Sequence, residues 1–299
     1  MEERRRVGAY GVCRDGERVL LARGSAISDF PGAWQLPGGG VEHAEHPEVA
    51  VVREFAEETG LTVEATGLRG VVADVTRYPD LGVALHTDRV IYDVTPRSGT
   101  LRDEADDTTD LVRWFTPAEA AEVSLLPFTA ELLGLPVVPL PARAGREPFG
   151  PPPTDRRQRF AAYGLVSDPA GRILLTMIAE GYPGAGKWHL PGGGTDHGEQ
   201  PAAGLLRELV EEAGQLGRVV DLIAVDNLHN PGALGPEGRP LDWHGIRVIY
   251  RVLVDAPTEA RVTELAGGST SRAAWFTPEQ VAGLRLTDVA LLATGRRGS

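Results

Sequence analysis

Cysteine is nearly absent: Cys13 is the single one in 299 residues. No disulfide can close within the chain, and no cysteine cage for zinc can be assembled. Cys13 itself reads as a small apolar residue in a strand. Long apolar runs are missing too. No stretch approaches the roughly 18 residues of a spanning helix. The opening MEERRRVGAYGVCRDGE carries a basic run but lacks the apolar segment of about 7 to 15 residues that a secretory signal requires. These absences predict a cytoplasmic protein with no membrane partner. Basic residues are outnumbered, with 30 Lys plus Arg against 42 Asp plus Glu and a formal net charge of -12 at pH 7. Such a balance disfavours nucleic acid and anionic lipid as bulk partners. An anionic small molecule stays compatible if its charge is met locally, most simply by a divalent metal.

What is present is a globular composition, 24% charged and 42% hydrophobic, at a length that suggests two domains. The halves repeat each other in order. Ala9-Tyr10-Gly11-Val12 returns as Ala162-Tyr163-Gly164-Leu165, and Leu36-Pro37-Gly38-Gly39-Gly40 as Leu190-Pro191-Gly192-Gly193-Gly194. Arg89-Val90-Ile91-Tyr92 matches Arg247-Val248-Ile249-Tyr250, and Trp114-Phe115-Thr116-Pro117 matches Trp275-Phe276-Thr277-Pro278. A repeat this long, present twice, means tandem domains and not a solenoid. Between the copies the proline-rich stretches PVVPLPARAG and EPFGPPPTD read as a semi-rigid linker. Domains are therefore expected at 1–138 and 158–299, joined by 139–157.

Apolar alternation places strands at 7–12, 19–22, 63–75 in broken form, 89–94 and 112–115, with counterparts at 160–166, 173–178, 219–225, 246–254 and 273–276. A helix follows each glycine-rich turn, opening at Pro47 or Pro201 and stopping at Gly60 or Gly214. Short helices open at Pro117 and Pro278, and each copy closes on a Leu-rich segment. Strands with few helices and no regular βαβ alternation point to an α/β (α+β) sandwich around a mixed sheet.

The helix after the triple glycine carries the chemistry. Glu54, Glu57 and Glu58 stand at i, i+3 and i+4, so three carboxylates share one arc of about 100°. Glu208, Glu211 and Glu212 repeat the arrangement. Val49, Val52, Phe55 and Ala56 then read as the core face, matched by Ala203, Leu206, Leu209 and Val210. Arg53 and Arg207 border each arc, placed to hold a carboxylate. Ala50 and Gly204 fall inside the arcs, which suggests close approach of a ligand. A solvated acidic face is the ordinary alternative, and its like charges oppose the helix only weakly. Recurrence behind the same glycines favours oxygen ligation of a hard cation that bridges to substrate phosphates.

These residues resemble the Nudix box, in which Gly, Glu, Arg-Glu, an apolar residue, Glu-Glu, Gly and an apolar residue recur at fixed spacing. Gly39, Glu45, Arg53, Glu54, Phe55, Glu57, Glu58, Gly60 and Leu61 match every position. Gly193, Glu199, Arg207, Glu208, Leu209, Glu211, Glu212 and Gly214 match all but the last, where Gln215 departs. The resemblance implies two tandem Nudix folds, each an α/β/α sandwich around a mixed sheet. It also implies a pyrophosphatase in which water attacks phosphorus in a nucleoside diphosphate linked to another moiety. Glu54, Glu57, Glu58, Glu208, Glu211 and Glu212 would be ligands of Mg²⁺ or Mn²⁺. Arg53 and Arg207 would orient them, Glu45 and Glu199 would be supporting carboxylates, and Glu57 and Glu211 are candidates for the general base. Gly38, Gly39, Gly40, Gly192, Gly193 and Gly194 would be cofactor-binding positions whose turns let the loop fold back onto the helix.

Other relatives of that pattern take the base from a later loop, which here holds Asp103, Glu104, Asp106, Asp107 and Asp110 in the first copy and Glu264 in the second. The richer first loop suggests a more complete first site, with a plain solvated turn as the equal alternative. Tyr10, Phe30, Trp34 and Tyr78, with Tyr163, Tyr182, Trp188 and Trp243, are aromatic groups able either to stack a base or to pack a core. The seven histidines show no metal-ligand spacing, and His86 and His244 recur before equivalent strands as strand-edge polar groups or substrate contacts. The partner implied is a small diphosphate. Two alternatives remain open: one catalytic domain beside a binding or regulatory one, or a non-catalytic nucleotide sensor. An internal pseudo-dimer and a homodimer are equally compatible with the repeat.

Overall fold

The computed structural model describes residues 1–103, 108–142, 144, 155–234, 239–263 and 268–295. The first copy runs β1 (Glu2–Asp15), β2 (Arg18–Gly24), β3 (Trp34–Gln35), β4 (Gly38–Gly40), α1 (Pro47–Thr59), β5 (Leu61–Tyr78), β6 (Val83–Gly99), β7 (Thr109–Phe115), α2 (Pro117–Ala121) and α3 (Pro127–Leu132). The second runs β8 (Arg156–Ser167), β9 (Ile173–Ile178), β10 (Trp188–His189), β11 (Gly192–Gly194), α4 (Pro201–Ala213), β12 (Arg218–Leu234), β13 (Pro240–Leu253), β14 (Thr270–Phe276), α5 (Pro278–Ala282) and α6 (Asp288–Ala293). By contact density the chain divides into Met1–Gln158 with His229–His244, and Arg159–Leu228 with Gly245–Ser299. The tips of β12 and β13 thus count with the first unit. The acidic-loop residues Glu104, Asp106, Asp107 and Glu264 lie outside the described residues, as does most of the proline-rich linker.

In the first unit the sheet order is β3-β2-β1-β6-β5, with β4 added on β1 and β7 on β2. β1 and β6 pair in parallel, while β2, β4, β5 and β7 join antiparallel, which makes the sheet mixed. The β5–β6 ladder is interrupted by register shifts at Thr62/Val63, Ala65/Gly67 and Leu68/Gly70. Sequence alternation stops short of both strands because 83–88 of β6 is buried on both faces, polar His86, Thr87 and Asp88 included, while 95–99 of β6 and much of β5 are exposed or half-buried. A core of Tyr10, Leu21, Trp34, Leu36, Ile91, Phe115 and Phe128 fills one face beneath α2 and α3. On α1, fully buried Phe55 lies where a side chain at Gly11 of β1 would collide, with a Cβ only 2.5 Å from the ring. In the second unit the sheet order is β10-β9-β8-β13-β12, with a core around Leu175, Trp188, Leu190, Ile249, Leu286 and Val289. Cys13 is buried in β1, where burial pushes its thiol up to about 11. No helix among the described residues is long and apolar enough to cross a membrane.

Two expectations need correction. The triple glycines are strands and not turns: β4 pairs with β1 through Gly8 and Gly40, Ala9 and Gly39, and Tyr10 and Gly38. Gly38 has φ 139°, and a Cβ there would stand 2.3 Å from the Ala9 carbonyl oxygen. Gly192 repeats this with φ 132° and 2.2 Å to Ala162 O. Only glycine allows so tight an approach.

The core face of the helix was also misassigned. In α1 the buried residues are Pro47, Ala50, Val51, Phe55, Glu58 and Thr59, whereas Val49 is 59% exposed and Val52 and Ala56 are only partly covered. In α4, Leu205, Leu209, Glu212 and Ala213 are buried, Leu206 is partly buried, and Ala203 and Val210 are exposed. The carboxylate arc therefore turns toward the sheet, since the inward Glu has a backbone donor waiting there. The small residues in the arc leave room for protein, not ligand. A Cβ on Gly204 would lie 2.8 Å from Glu199 Oε2.

Candidate functional site

Proline at its first turn and left-handed Gly60 (φ 73°) bound α1, and the His46 ring accepts from Glu48 N at 3.1 Å as the cap. This fixes the helix phase that brings Glu54, Glu57 and Glu58 to β4. Glu58 is buried and accepts from Gly38 N at 2.8 Å. Glu54 lies so close to β4 that a Cβ on Gly39 would be 2.4 Å from its Oε2. Arg53 joins the parts. Its Nε and Nη2 each donate to the Glu45 carboxylate at 2.9 Å, Nη1 donates to Glu54 at 2.8 Å and Glu57 at 3.1 Å, and Nη2 also reaches Gly40 O at 3.0 Å. Glu45 in turn accepts from Glu42 N at 2.9 Å.

Burial raises Glu54 above the usual carboxylate range, against the lowering effect of Arg53. Glu45 is held low because Arg53 and the Glu42 N–H outweigh its desolvation. Arg53 is raised further by its bonds to Glu45 and Glu54.

The second copy repeats this network. Arg207 donates to Glu199 at 3.0 and 3.1 Å, to Glu208 at 2.9 Å, to Glu211 at 3.3 Å and to Gly194 O at 3.3 Å. Glu212 accepts from Gly192 N at 2.9 Å and from the Thr270 hydroxyl, and burial pushes it up to about 7.

In the first unit a cleft of about 330 Å³ opens on Glu54, Glu57 and Glu58 beside Gly38, Gly39 and Gly40. The donor set suits a hard divalent cation. Three carboxylates, Glu45, Glu54 and Glu57, converge on one guanidinium with Glu58 beside them, so negative charge is left over, and all the donors are oxygens. Gly38, Gly39 and Gly40 line the cleft, and at Gly38 and Gly39 the missing Cβ leaves the space that β1 and Glu54 fill. Asp103 and Asp110 are already engaged, with Asp103 accepting from Val112 N at 3.0 Å and Asp110 paired with Arg23 at 2.8 Å.

Of the aromatic candidates, Tyr10, Phe30 and Tyr78 line the cleft, whereas Trp34 packs edge-on against Phe115 and Trp188 against Phe276 in the cores. Tyr163 packs against His189, Tyr182 is exposed, and Trp243 sits partly buried near the tip of β13. His86 and His244 are fully buried, His86 facing Asp88 at 3.0 Å and His244 facing Gln158 at 3.1 Å.

Sequence reasoning missed two cleft cations, Arg6 and Arg89. Arg89 is buried in an ion pair with Asp74 at 2.8 Å and lies over the Phe128 ring. A signal was present, because arginine opens the same apolar strand in both copies and Arg247 pairs with Asp226 in the second.

The family model of the NUDIX domain matches residues 2–133 and again 157–293. The chain therefore belongs to the NUDIX family, as two tandem domains of that fold. Among its relatives, a MutT-like protein of Streptomyces ambofaciens is 38% identical over 111 residues, covering 37% of this chain and 63% of the relative. A CTP pyrophosphohydrolase of Escherichia coli is 37% identical over 120 residues, covering 40% of this chain and 82% of that protein. The chain thus spans less than two thirds of the first of these relatives. The solved MutT NUDIX hydrolase from Burkholderia pseudomallei is 29% identical, covering 44% of this chain and 97% of its own, with TM-score 0.39.

Proposed function

We propose that the chain is a divalent-metal-dependent hydrolase that cleaves a pyrophosphate bond in a nucleoside diphosphate linked to a second group. The observation that carries this reading is the open cleft over the Arg53-bound carboxylates. Glu54, Glu57 and Glu58 would hold Mg²⁺ or Mn²⁺ in the first domain, and Glu208, Glu211 and Glu212 in the second. The cation, when bound, would acidify water and neutralise diphosphate oxygens. Arg53 keeps Glu54 and Glu57 in position, and Glu45 keeps Arg53 in position. Glu57, the exposed member of the set, is bonded to Arg53 through one oxygen and would take a proton from the attacking water on the other. Arg6 and Arg89 supply positive charge for phosphate, while Phe30, the partly exposed ring of the cleft, supplies a face for a base. Relatives named for CTP and for ADP-ribose support a nucleotide-type substrate.

Phosphate-coupled turnover would be measured with Mg²⁺ and Mn²⁺ on nucleoside triphosphates, nucleotide sugars, ADP-ribose and dinucleoside polyphosphates. Glu57→Gln is expected to lower kcat at least about 100-fold on the substrate found. Glu211→Gln run in parallel reports what the second domain contributes. Nucleotide binding without turnover on any member of the panel would replace this reading with that of a sensor.

A further inference from the structure

His43, His229 and Asp242 come from distant points of the chain, which is why no ligand spacing appears in the sequence. All three belong to the first unit, which includes the hairpin tip His229–His244. His43 lies in the loop between β4 and α1. Its Nε2 stands 3.2 Å from Asp242 Oδ1, and His229 Nε2 stands 2.8 Å from the same oxygen. The three ligand atoms all fall within 4.8 Å of one another. A tetrahedral cation with bonds of about 2.0 to 2.1 Å separates its ligand atoms by about 3.3 Å, so this spacing needs only small adjustment.

The second observation concerns the proton. Nε2 of His43 is buried and makes no hydrogen bond of acceptable geometry, although the Asp242 carboxylate is beside it. An imidazole nitrogen aimed near a carboxylate without an aligned N–H suits a shared cation better than a shared proton. The His43 ring also stands edge-on to His229 and to His244, at 5.6 and 5.4 Å between centroids. His244 is not counted as a further ligand, since its Nδ1 is engaged by Gln158 and its ring also bonds the Glu45 backbone.

We infer that His43, His229 and Asp242 form a second metal site, separate from the carboxylate clusters, that takes a zinc-class cation with water in the fourth position. Two imidazoles and one carboxylate are a donor set for Zn²⁺, Co²⁺ or Ni²⁺, whereas Mg²⁺ prefers oxygen alone. The cation ties the 229–244 hairpin to the loop that carries Glu45, and its role is to hold that loop.

The test uses full-length, tag-free protein stripped by chelator and titrated with Co²⁺, whose tetrahedral complexes absorb far more strongly in the visible than octahedral ones. A Glu57→Gln/Glu211→Gln background weakens the carboxylate sites. One tetrahedral Co²⁺ per chain is expected in wild type and in that background, displaced by one equivalent of Zn²⁺. His229→Ala, on an exposed position, and His43→Ala should each weaken binding at least about tenfold, with unchanged circular dichroism. If His43→Ala fails to fold, His229→Ala carries the test. No tetrahedral band in wild type, or a band that survives His229→Ala and Asp242→Asn, or one lost with the box substitutions instead, overturns the inference.

Discussion

A Cβ on Gly38, Gly39 or Gly40 meets three different fates, which separates their roles. At Gly38 it would strike the Ala9 carbonyl at 2.3 Å with φ at 139°, so Gly38→Ala should destabilise the first domain by about 2 kcal/mol or more. At Gly39 the obstacle is the end of a flexible side chain, the Glu54 carboxylate at 2.4 Å. Gly39→Ala should therefore leave the melting temperature within a few degrees while lowering kcat/KM about tenfold or more and weakening Mg²⁺. At Gly40 nothing stands within 4 Å, and Gly40→Ala should be near neutral on both counts. Thermal melts beside kinetics on the three variants decide this, and equal losses at Gly39 and Gly40 would contradict it. Arg53→Lys removes the two-pronged grip on Glu45, and a loss of about 10- to 100-fold in kcat/KM with preserved fold is expected. The acidic set and its arginine were legible in the sequence because helical spacing and repetition both mark them. The separate tasks of three adjacent glycines were not, since they depend on what lies across the strand pair.

The phase of α1 illustrates what periodicity alone can settle. Thirteen residues and both ends of the helix could be read from Pro47 and Gly60, yet the inward face was assigned to the apolar side. Hydrophobic patterning assumes that charge seeks water. Here the Gly38 N–H draws Glu58 inward, and Arg53 offsets part of the charge, so a carboxylate is buried while Val49 faces out. Replacement of Val49 by Lys should change stability by no more than about 0.5 kcal/mol, whereas Val51→Ala, at a fully buried position, should cost about 1 to 2 kcal/mol. Urea unfolding of the two variants checks the assignment, and the opposite ranking would restore the sequence-based face. The strand extents follow a similar logic. Residues 7–13 of β1 and 83–92 of β6 bury both faces, while 2–6 of β1 and 95–99 of β6 are polar, exposed or half-buried and escape apolar patterning.

For the whole molecule the tandem plan was legible from the repeated blocks, which match two copies of one domain family. The assignment of the 229–244 hairpin to the first unit was not, because no local pattern encodes a long-range contact. Stability of the second unit should respond to acid through His189, which lies partly covered against Thr287 and is pushed down to about 4 by burial and Arg247. The native state favours the neutral ring, so its contribution is whole above about pH 6.5 and is lost as the pH falls toward 4, where the unfolded chain takes up the proton first. Between about pH 7 and pH 5 this amounts to about 1 to 2 kcal/mol. Denaturant unfolding of wild type and His189→Asn at those two pH values should show a smaller acid loss in the variant, and parallel losses would count against it.

One feature of the first sheet bears on the behaviour of many copies together. β5 stands last in the strand order of the first unit over 18 residues, a length at which an edge could template a neighbour's backbone. Its three register shifts fall near its start: Arg97 of β6 is the extra residue at the first, and Thr66 and Arg69 of β5 at the other two. A regular foreign strand would lose step at Thr66 and Arg69, so the first half of β5 is a poor template for edge-to-edge growth.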